Sequence, residues 1–280
     1  MSPEYRVALL GHGIGPSLSP ALHEREAQHL GLSYEYVTVD LIDVPDVDLG
    51  EQLGRLEDEG FAAVNVTHPF KQQVLGHVDE LGEVVERIGS ANLVLLGRGR
   101  RTAHNTDCTG FRHGLESFLG DRPRGRVLQV GAGGAGLATA YSLIGMGFEE
   151  LVVHDRSTDA ADRLVDRFAG ATGASLAATD GSLEPWQEKV DGVVHVTPMG
   201  MAQHPGVALE PERLRPDAWV AEVVYRPLET ELLRRARAHG LDTLDGGAMA
   251  VGQAVDSLRL ITGREPDVER MNDHFRQLVS

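Results

Sequence analysis

The chain has 280 residues, room for one large domain or two smaller ones, and its 41% hydrophobic share with 33 glycines suits a globular α/β protein rather than a disordered one. Acidic residues outnumber basic ones 42 to 26, a formal charge of −16, which argues against nucleic acid or an anionic membrane as partner and leaves a small anionic substrate to local donors. A single cysteine, Cys108, excludes an intrachain disulfide and points to a reducing cytoplasm; the start Met1-Ser2-Pro3-Glu4-Tyr5-Arg6 lacks a secretory pattern, and no apolar run reaches membrane-spanning length.

In chain order, residues 7–10 read as a short buried strand closed by Gly11-His12-Gly13-Ile14-Gly15-Pro16. Pro20 opens a helix that runs to about Leu30 and stops at Gly31. A strand over 34–41, a helix over 49–59 and a strand over 61–66 complete a βαβαβ pattern. Polar Thr67 and His68 end that strand, and Pro69 suits the N1 position of a helix, which places Lys71 in its first turn. A cation there meets the positive end of the helix dipole, which favours a neutral amine able to take a proton, although desolvation must do most of the work. The plainer alternative is a solvated surface lysine.

Residues 93–96 and 101–104, around Gly97-Arg98-Gly99-Arg100, read as a hairpin, with Asn105-Thr106-Asp107 just past it. A helix near 110–119 leads into the turn-rich Gly120-Asp121-Arg122-Pro123-Arg124-Gly125. Strands at 127–130, 151–154, 193–196 and 219–224 follow, with helices between the first three, implying a parallel sheet covered on both faces. Residues 247–262 carry Met249, Val251, Ala254, Val255, Leu258 and Ile261 at helical spacing and end at Gly263.

The strand Val127-Leu128-Gln129-Val130 runs directly into Gly131-Ala132-Gly133-Gly134-Ala135-Gly136, ahead of a helical run. Gly-x-Gly-x-x-Gly in that setting permits a tight turn, close backbone approach to a pyrophosphate and close helix–strand packing. Asp155 ends the next strand about 20 residues on, where a carboxylate accepts a ribose hydroxyl and favours NAD. Arg156 beside it is suited to clamp a 2′-phosphate, so NADP or dual use stays open. The 12 histidines show no metal-ligand spacing, and no metal site is expected.

Together, Ser17-Leu18-Ser19-Pro20, Asn65-Val66-Thr67-His68-Pro69-Phe70-Lys71, Asn105-Thr106-Asp107, the glycine loop, Thr197-Pro198-Met199-Gly200-Met201 and Gln253 resemble the shikimate dehydrogenase family over nearly the whole chain. Val224-Tyr225-Arg226-Pro227-Leu228-Glu229-Thr230-Glu231-Leu232-Leu233 and Glu265-Pro266-Asp267-Val268 resemble its actinobacterial quinate/shikimate dehydrogenases. The resemblance implies an α/β chain of two domains. An N-terminal α/β substrate-binding and catalytic domain covers residues 1–110 and is completed by C-terminal helices within 247–280. A Rossmann-type, doubly wound NAD(P)-binding domain covers 111–246. The implied reaction oxidises a ring hydroxyl of shikimate or quinate to the 3-dehydro ketone, with hydride passing to NAD or NADP, in a cytoplasmic monomer or homodimer.

Carried over by position, the resemblance gives Lys71 proton transfer and Asp107 the task of orienting and polarising the reacting oxygen. Ser17 and Ser19 would hold the substrate carboxylate, with Thr67, Asn92, Tyr225 and Gln253 around the ring. Gly131, Ala132, Gly133, Gly134, Ala135, Asp155, Arg156 and Thr197 would hold the dinucleotide, and Val223 and Gly246 would line the nicotinamide. Each has a plainer alternative: Ser19 as a helix N-cap, Asp107 as a turn residue or cap, Gln253 as a solvated helix residue, Tyr225 as a core aromatic. Cys108 reads as a small buried thiol rather than a nucleophile.

Three departures from the family pattern stand out. Leu93 follows Asn92 where threonine is usual. His195-Val196-Thr197 replaces Asn-Ala-Thr and sets an imidazole near the expected nicotinamide pocket. Ser19 stands where quinate-using relatives often carry threonine, which leans toward shikimate. An amino-substituted shikimate or quinate remains an alternative substrate. A folate or amino-acid dehydrogenase of similar architecture would not need the paired serines with Lys71 and Asp107. A non-catalytic NAD(P)-binding sensor would have no use for Lys71 and Asp107.

Overall fold

The computed structural model describes residues 3–97, 99–170 and 173–279; Met1 and Ser2 of the N-terminal start, Arg98 of the expected hairpin turn and Ser280 lie outside the described residues. The elements begin with β1 (Tyr5–Gly11), α1 (Ser19–His29), β2 (Tyr34–Asp40), α2 (Leu49–Asp58) and β3 (Ala63–Val66). A 3-10 turn (Gln73–His77), β4 (Glu80–Leu81), α3 (Glu83–Ile88), β5 (Leu93–Gly97), β6 (Arg100–His104) and α4 (Asp107–Leu119) follow. Then come β7 (Arg126–Val130), α5 (Gly134–Gly145), β8 (Glu150–His154), α6 (Thr158–Phe168), β9 (Ser175–Ala178), α7 (Glu184–Gln187) and β10 (Gly192–His195). After a second 3-10 turn (Pro211–Arg213), the chain ends with β11 (Trp219–Glu222), α8 (Glu231–Ala238), β12 (Asp242–Leu244), α9 (Gly247–Thr262) and α10 (Val268–Val279). It forms two compact units: the residues up to Gly110 together with Val251–Leu278, and Phe111–Ala250.

In the first unit the sheet order is β2-β1-β3-β5-β6-β4. β1 pairs in parallel with β2 and β3, β5 runs antiparallel to β3 and β6, and β4 joins β6 in parallel. Both faces of β1 are buried: Ala8 and Leu10 pack with Leu53, Leu56, Val64 and Val66, while Val7 and Leu9 pack with Ile14, Tyr36 and Leu93. That is why its sequence is a continuous apolar run rather than an alternation. α2 begins at Asp48, whose carboxylate accepts the Glu51 N–H, and buries Leu49, Leu53 and Leu56 along one stripe. The registers Leu10↔Val66, Asn65↔Leu93 and Leu93↔His104 bring the ends of β1, β3 and β6 and the start of β5 to one edge of the sheet. The segments leaving that edge carry Ser17, Lys71, Asn92 and Asp107.

The second unit holds a wholly parallel sheet of order β12-β11-β10-β7-β8-β9. Counted from β7 this is the doubly wound dinucleotide-binding order, with its switch point between β7 and β10. Leu128, Val130, Val152, Val193 and Val220 from the strands pack with Leu232, Leu233 and Ala236 from α8. The short strands β4, β9 and β12 and the helices α3 and α8 go beyond the elements expected from the sequence. β4 has two residues and β12 three, and the pairing of each comes from its neighbour rather than from its own apolar pattern.

Candidate active site

Lys71 does not sit in a helix. Residues 67–72 form turns around a cis His68-Pro69 peptide bond. The Phe70 N–H donates to the Thr67 carbonyl, and the 3-10 turn that follows begins only at Gln73. The expected helix dipole at Lys71 is therefore absent, because the local hydrogen bonds close a turn instead of a helical ladder. Its partner is a carboxylate: Lys71 Nζ lies 2.5 Å from Asp107 Oδ2, with the two side chains 16% and 6% exposed. Phe70 is buried with its ring edge-on to His12, and the Lys71 carbonyl accepts the Ala91 N–H at 2.8 Å, so the turn is anchored on both sides of the lysine stem.

Asp107 is the first residue of α4, where a negative charge also suits the helix dipole. Its second oxygen accepts from Asn92 Nδ2 at 3.1 Å. The other amide hydrogen of Asn92 goes to Thr106 Oγ1 at 2.9 Å, and Asn92 Oδ1 accepts the Thr106 N–H at 2.7 Å. Both amide hydrogens of Asn92 are thus committed to fixing Asp107 and Thr106. Thr106 Oγ1 reaches the Gln253 carbonyl at 3.1 Å and lies 3.0 Å from Ser257 Oγ on α9. Asn65 donates to the Asn92 carbonyl and to Ser257 Oγ, and accepts from the Tyr36 hydroxyl. A satisfied buried network of this kind rigidifies the group at its end, here the Asp107 carboxylate.

Ser19 is the first residue of α1, and Leu18 takes the N-cap position with no side-chain cap, so the N-cap reading of Ser19 does not hold. The Ser19 N–H instead donates to Ser17 Oγ, and the two half-buried hydroxyls lie 3.2 Å apart at the start of an 11-residue helix. Two adjacent hydroxyls at a helix N-terminus, the Ser17 one donating to the Ser19 one, form a setting for an anion such as a carboxylate. Thr67 N–H bonds the Leu10 carbonyl and His12 N–H the His68 carbonyl, stitching the loop after β1 to the Lys71 turn. The first unit thus holds Ser17, Ser19, Thr67, Lys71, Asn92, Asp107 and Gln253, whereas Tyr225 belongs to the second unit, past β11.

The glycine loop fits a pyrophosphate. Gly131 has φ 120°, and a Cβ there would lie 2.5 Å from the Val196 carbonyl oxygen; a Cβ at Gly136 would lie 2.5 Å from the Gly131 oxygen. At Gly133, by contrast, a Cβ would meet nothing within 4 Å, and no side chain caps α5. The tight glycines let β7 turn straight into α5, and the open one leaves space at that helix's positive end. Ala132 donates to Asp155 Oδ2 at 2.8 Å and Ser157 N–H to Oδ1 at 2.9 Å, so Asp155 both closes the loop and stands at the end of β8. Arg156 is exposed and carries no ion pair among the described residues. A Cβ at Gly246 would lie 2.4 Å from the Val223 carbonyl oxygen, so these two positions meet.

Cys108 is buried, its thiol facing the Asn105 carbonyl, and burial with the nearby Asp107 charge pushes its pKa up to about 12, which removes it as a nucleophile. Among the described residues no group of three or more His, Cys, Asp or Glu is placed to hold a metal ion, and no helix is long and apolar enough to cross a membrane. Sequence reasoning missed Asn65, Tyr36 and Ser257 as parts of the buried network. Ser257 had one usable signal: a polar residue within the apolar stripe of α9, one turn after Gln253.

A family model described as the shikimate dehydrogenase substrate binding domain matches residues 9–94. The chain is 50% identical to a shikimate dehydrogenase (NADP(+)) of Streptomyces avermitilis, over 98% of this chain and 96% of that one. It is 45% identical to a quinate/shikimate dehydrogenase (NAD(+)) of Corynebacterium efficiens, over 97% and 98%. Among solved structures it resembles a quinate dehydrogenase from Corynebacterium glutamicum in complex with NAD, with TM-score 0.89 and 42% identity over 98% of this chain and 99% of that one.

Proposed function

This chain belongs to the shikimate dehydrogenase family, and from that premise we propose that it interconverts shikimate or quinate and the matching 3-dehydro ketone. It is an oxidoreductase acting on a CH–OH group. NAD or NADP, when bound, supplies the hydride acceptor or donor. The observation that carries the reading is the half-sealed pair of Lys71 and Asp107, with Asp107 pinned by Asn92. In the oxidising direction Lys71 Nζ takes the hydroxyl proton, and the Asp107 carboxylate stabilises the ammonium that forms. In the reducing direction the ammonium returns the proton to the ketone oxygen. A positioned proton carrier of this kind contributes about 10²- to 10⁴-fold to rate.

Ser17 and Ser19 bind the substrate carboxylate, and Thr67, Gln253 and the remaining Oδ1 lone pair of Asn92 bind around the ring. The first unit serves as the substrate domain and the second as the dinucleotide domain. Gly131, Ala132, Gly133, Gly134 and Ala135 cradle the pyrophosphate, Asp155 and Arg156 face the adenosine ribose, and Thr197, Val223 and Gly246 line the nicotinamide. Ser19 favours shikimate over quinate. We place the chain in the cytoplasm, a reading supported by its single, buried cysteine, and propose a monomer or homodimer.

Absorbance at 340 nm with shikimate or quinate and NAD or NADP, in all combinations, tests the reading. Reduced cofactor is expected with at least one pair, and its absence from every pair would sink the proposal. Cofactor binding without any turnover would instead identify an NAD(P) sensor.

A further inference from the structure

β10 and β11 are neighbouring parallel strands whose last residues, His195 and Glu222, stand in register. Both side chains are sealed, 1% and 0% exposed. His195 Nδ1 lies 2.8 and 3.0 Å from the two carboxylate oxygens of Glu222, and its Nε2 lies 2.6 Å from Thr197 Oγ1. Glu222 Oε1 also accepts the N–H groups of Val223 and Val224, each at 3.1 Å, and Oε2 accepts the Thr230 hydroxyl at 3.3 Å. Thr230 in turn caps α8 by accepting the Leu233 N–H.

Thr197 Oγ1 is held from two sides, by His195 Nε2 and by the Met199 N–H at 3.2 Å. A hydroxyl has one hydrogen and two lone pairs, so half-buried Thr197 keeps one hydrogen-bonding position for a ligand.

The location says which ligand. In a doubly wound sheet a dinucleotide lies across the carboxyl ends of the strands at the switch point. The glycine loop and Asp155 occupy the β7 and β8 side, so the second nucleotide falls over β10 and β11. An apolar pair would join these two strands with less desolvation than a sealed carboxylate and imidazole. We propose that His195 and Glu222 are positioning residues that hold Thr197 so that its remaining hydrogen-bonding position meets the carboxamide of a bound nicotinamide, and hold the 223–224 turn beside it. The inference rests on the reading of the second unit as the dinucleotide domain.

The test measures, by titration calorimetry, the binding of NAD and of ADP-ribose, which lacks the nicotinamide. Thr197→Val and His195→Phe should each weaken NAD roughly 3- to 10-fold, the worth of about one hydrogen bond, and leave ADP-ribose binding within about twofold, as expected for groups that face only the nicotinamide. If His195→Phe does not fold, the double variant His195→Phe/Glu222→Gln, which also removes the stranded charge, takes its place, and Thr197→Val leaves the buried pair intact in any case. Unchanged NAD affinity in a folded His195 variant overturns the proposal. So does an equal loss for NAD and ADP-ribose, which would make the pair a general support of the sheet. Failure of the unaltered protein to bind ADP-ribose overturns the dinucleotide reading, and this inference with it.

Discussion

His23 lies one helical turn past Ser19 on α1 and is fully buried. Its Nδ1 is 3.1 Å from the Tyr34 hydroxyl, its ring packs 4.9 Å from that of Tyr36, and Nε2 has no hydrogen-bond partner among the described residues. Burial pulls its pKa from 6.5 down to about 3. Above pH 6.5 the ring is neutral whether the chain is folded or not, and it adds no pH dependence. Below that, the unfolded chain takes a proton that the folded ring refuses until about pH 3, so stability falls by about 1.4 kcal/mol per pH unit. Between pH 7 and pH 5 about 1.5 units of that window are crossed, a loss of roughly 2 kcal/mol. His23→Phe keeps a ring against Tyr36 and removes the titration, at a pH-independent cost of about 1 kcal/mol for the lost Tyr34 hydrogen bond. His104, His154 and His274, also lowered by burial, are present in both proteins and cancel in the difference. Urea unfolding followed by far-UV circular dichroism is the appropriate assay, because Trp186 and Trp219 both lie in the second unit and would not report on α1. The variant should be the less stable protein at pH 7 and the more stable one at pH 5. A gap that stays constant over that range would show that the folded ring takes its proton normally, and would refute the burial argument.

Lys71→Ala should lower kcat by about 10²- to 10⁴-fold while NAD(P) affinity, measured by titration calorimetry, stays nearly unchanged; retained turnover would show that Lys71 is not the proton carrier. Asp155→Asn keeps an acceptor for the Ala132 N–H but removes the charge that disfavours a 2′-phosphate, so the ratio of NADP to NAD kcat/KM should rise, by about tenfold for roughly one charge-assisted hydrogen bond. If NADP use falls instead, the assignment of Asp155 to the ribose is backwards. Cys108, its pKa pushed up to about 12, should resist iodoacetamide at pH 8 in the folded protein and react fully in urea, with mass spectrometry counting the adducts.

The glycine loop and α9 were legible because in each a residue pattern coincides with what the backbone needs. A β7 strand running into Gly131 and Gly136 tolerates no Cβ at the turn, and the apolar spacing of α9 needs only its own helix to be read. The Lys71 turn was not legible. A proline that opens a helix and one that follows a turn look alike in sequence, and which of them forms depends on the Thr67 carbonyl and on the burial of Phe70. The partners of Lys71 lie beyond local pattern altogether: Asp107 is 36 residues away, and Ser257 lies 151 residues from Thr106. What joins them is the mixed sheet, which turns the ends of β1, β3 and β6 and the start of β5 to one edge.

The competing readings of Asp107 resolve for the same reason, since it opens α4 and also faces Lys71; neither role excludes the other. His195 shows the limit most sharply. As a sequence feature it is an isolated imidazole at a strand end, and Glu222, 27 residues on, is an unremarked acid at another. Only the parallel register of β10 and β11 sets them side by side, and only the buried pair so formed holds Thr197 in place. A polar pair sealed at the carboxyl ends of a doubly wound sheet is therefore better read through its register than through either residue's own neighbours, because the register determines which groups share a proton.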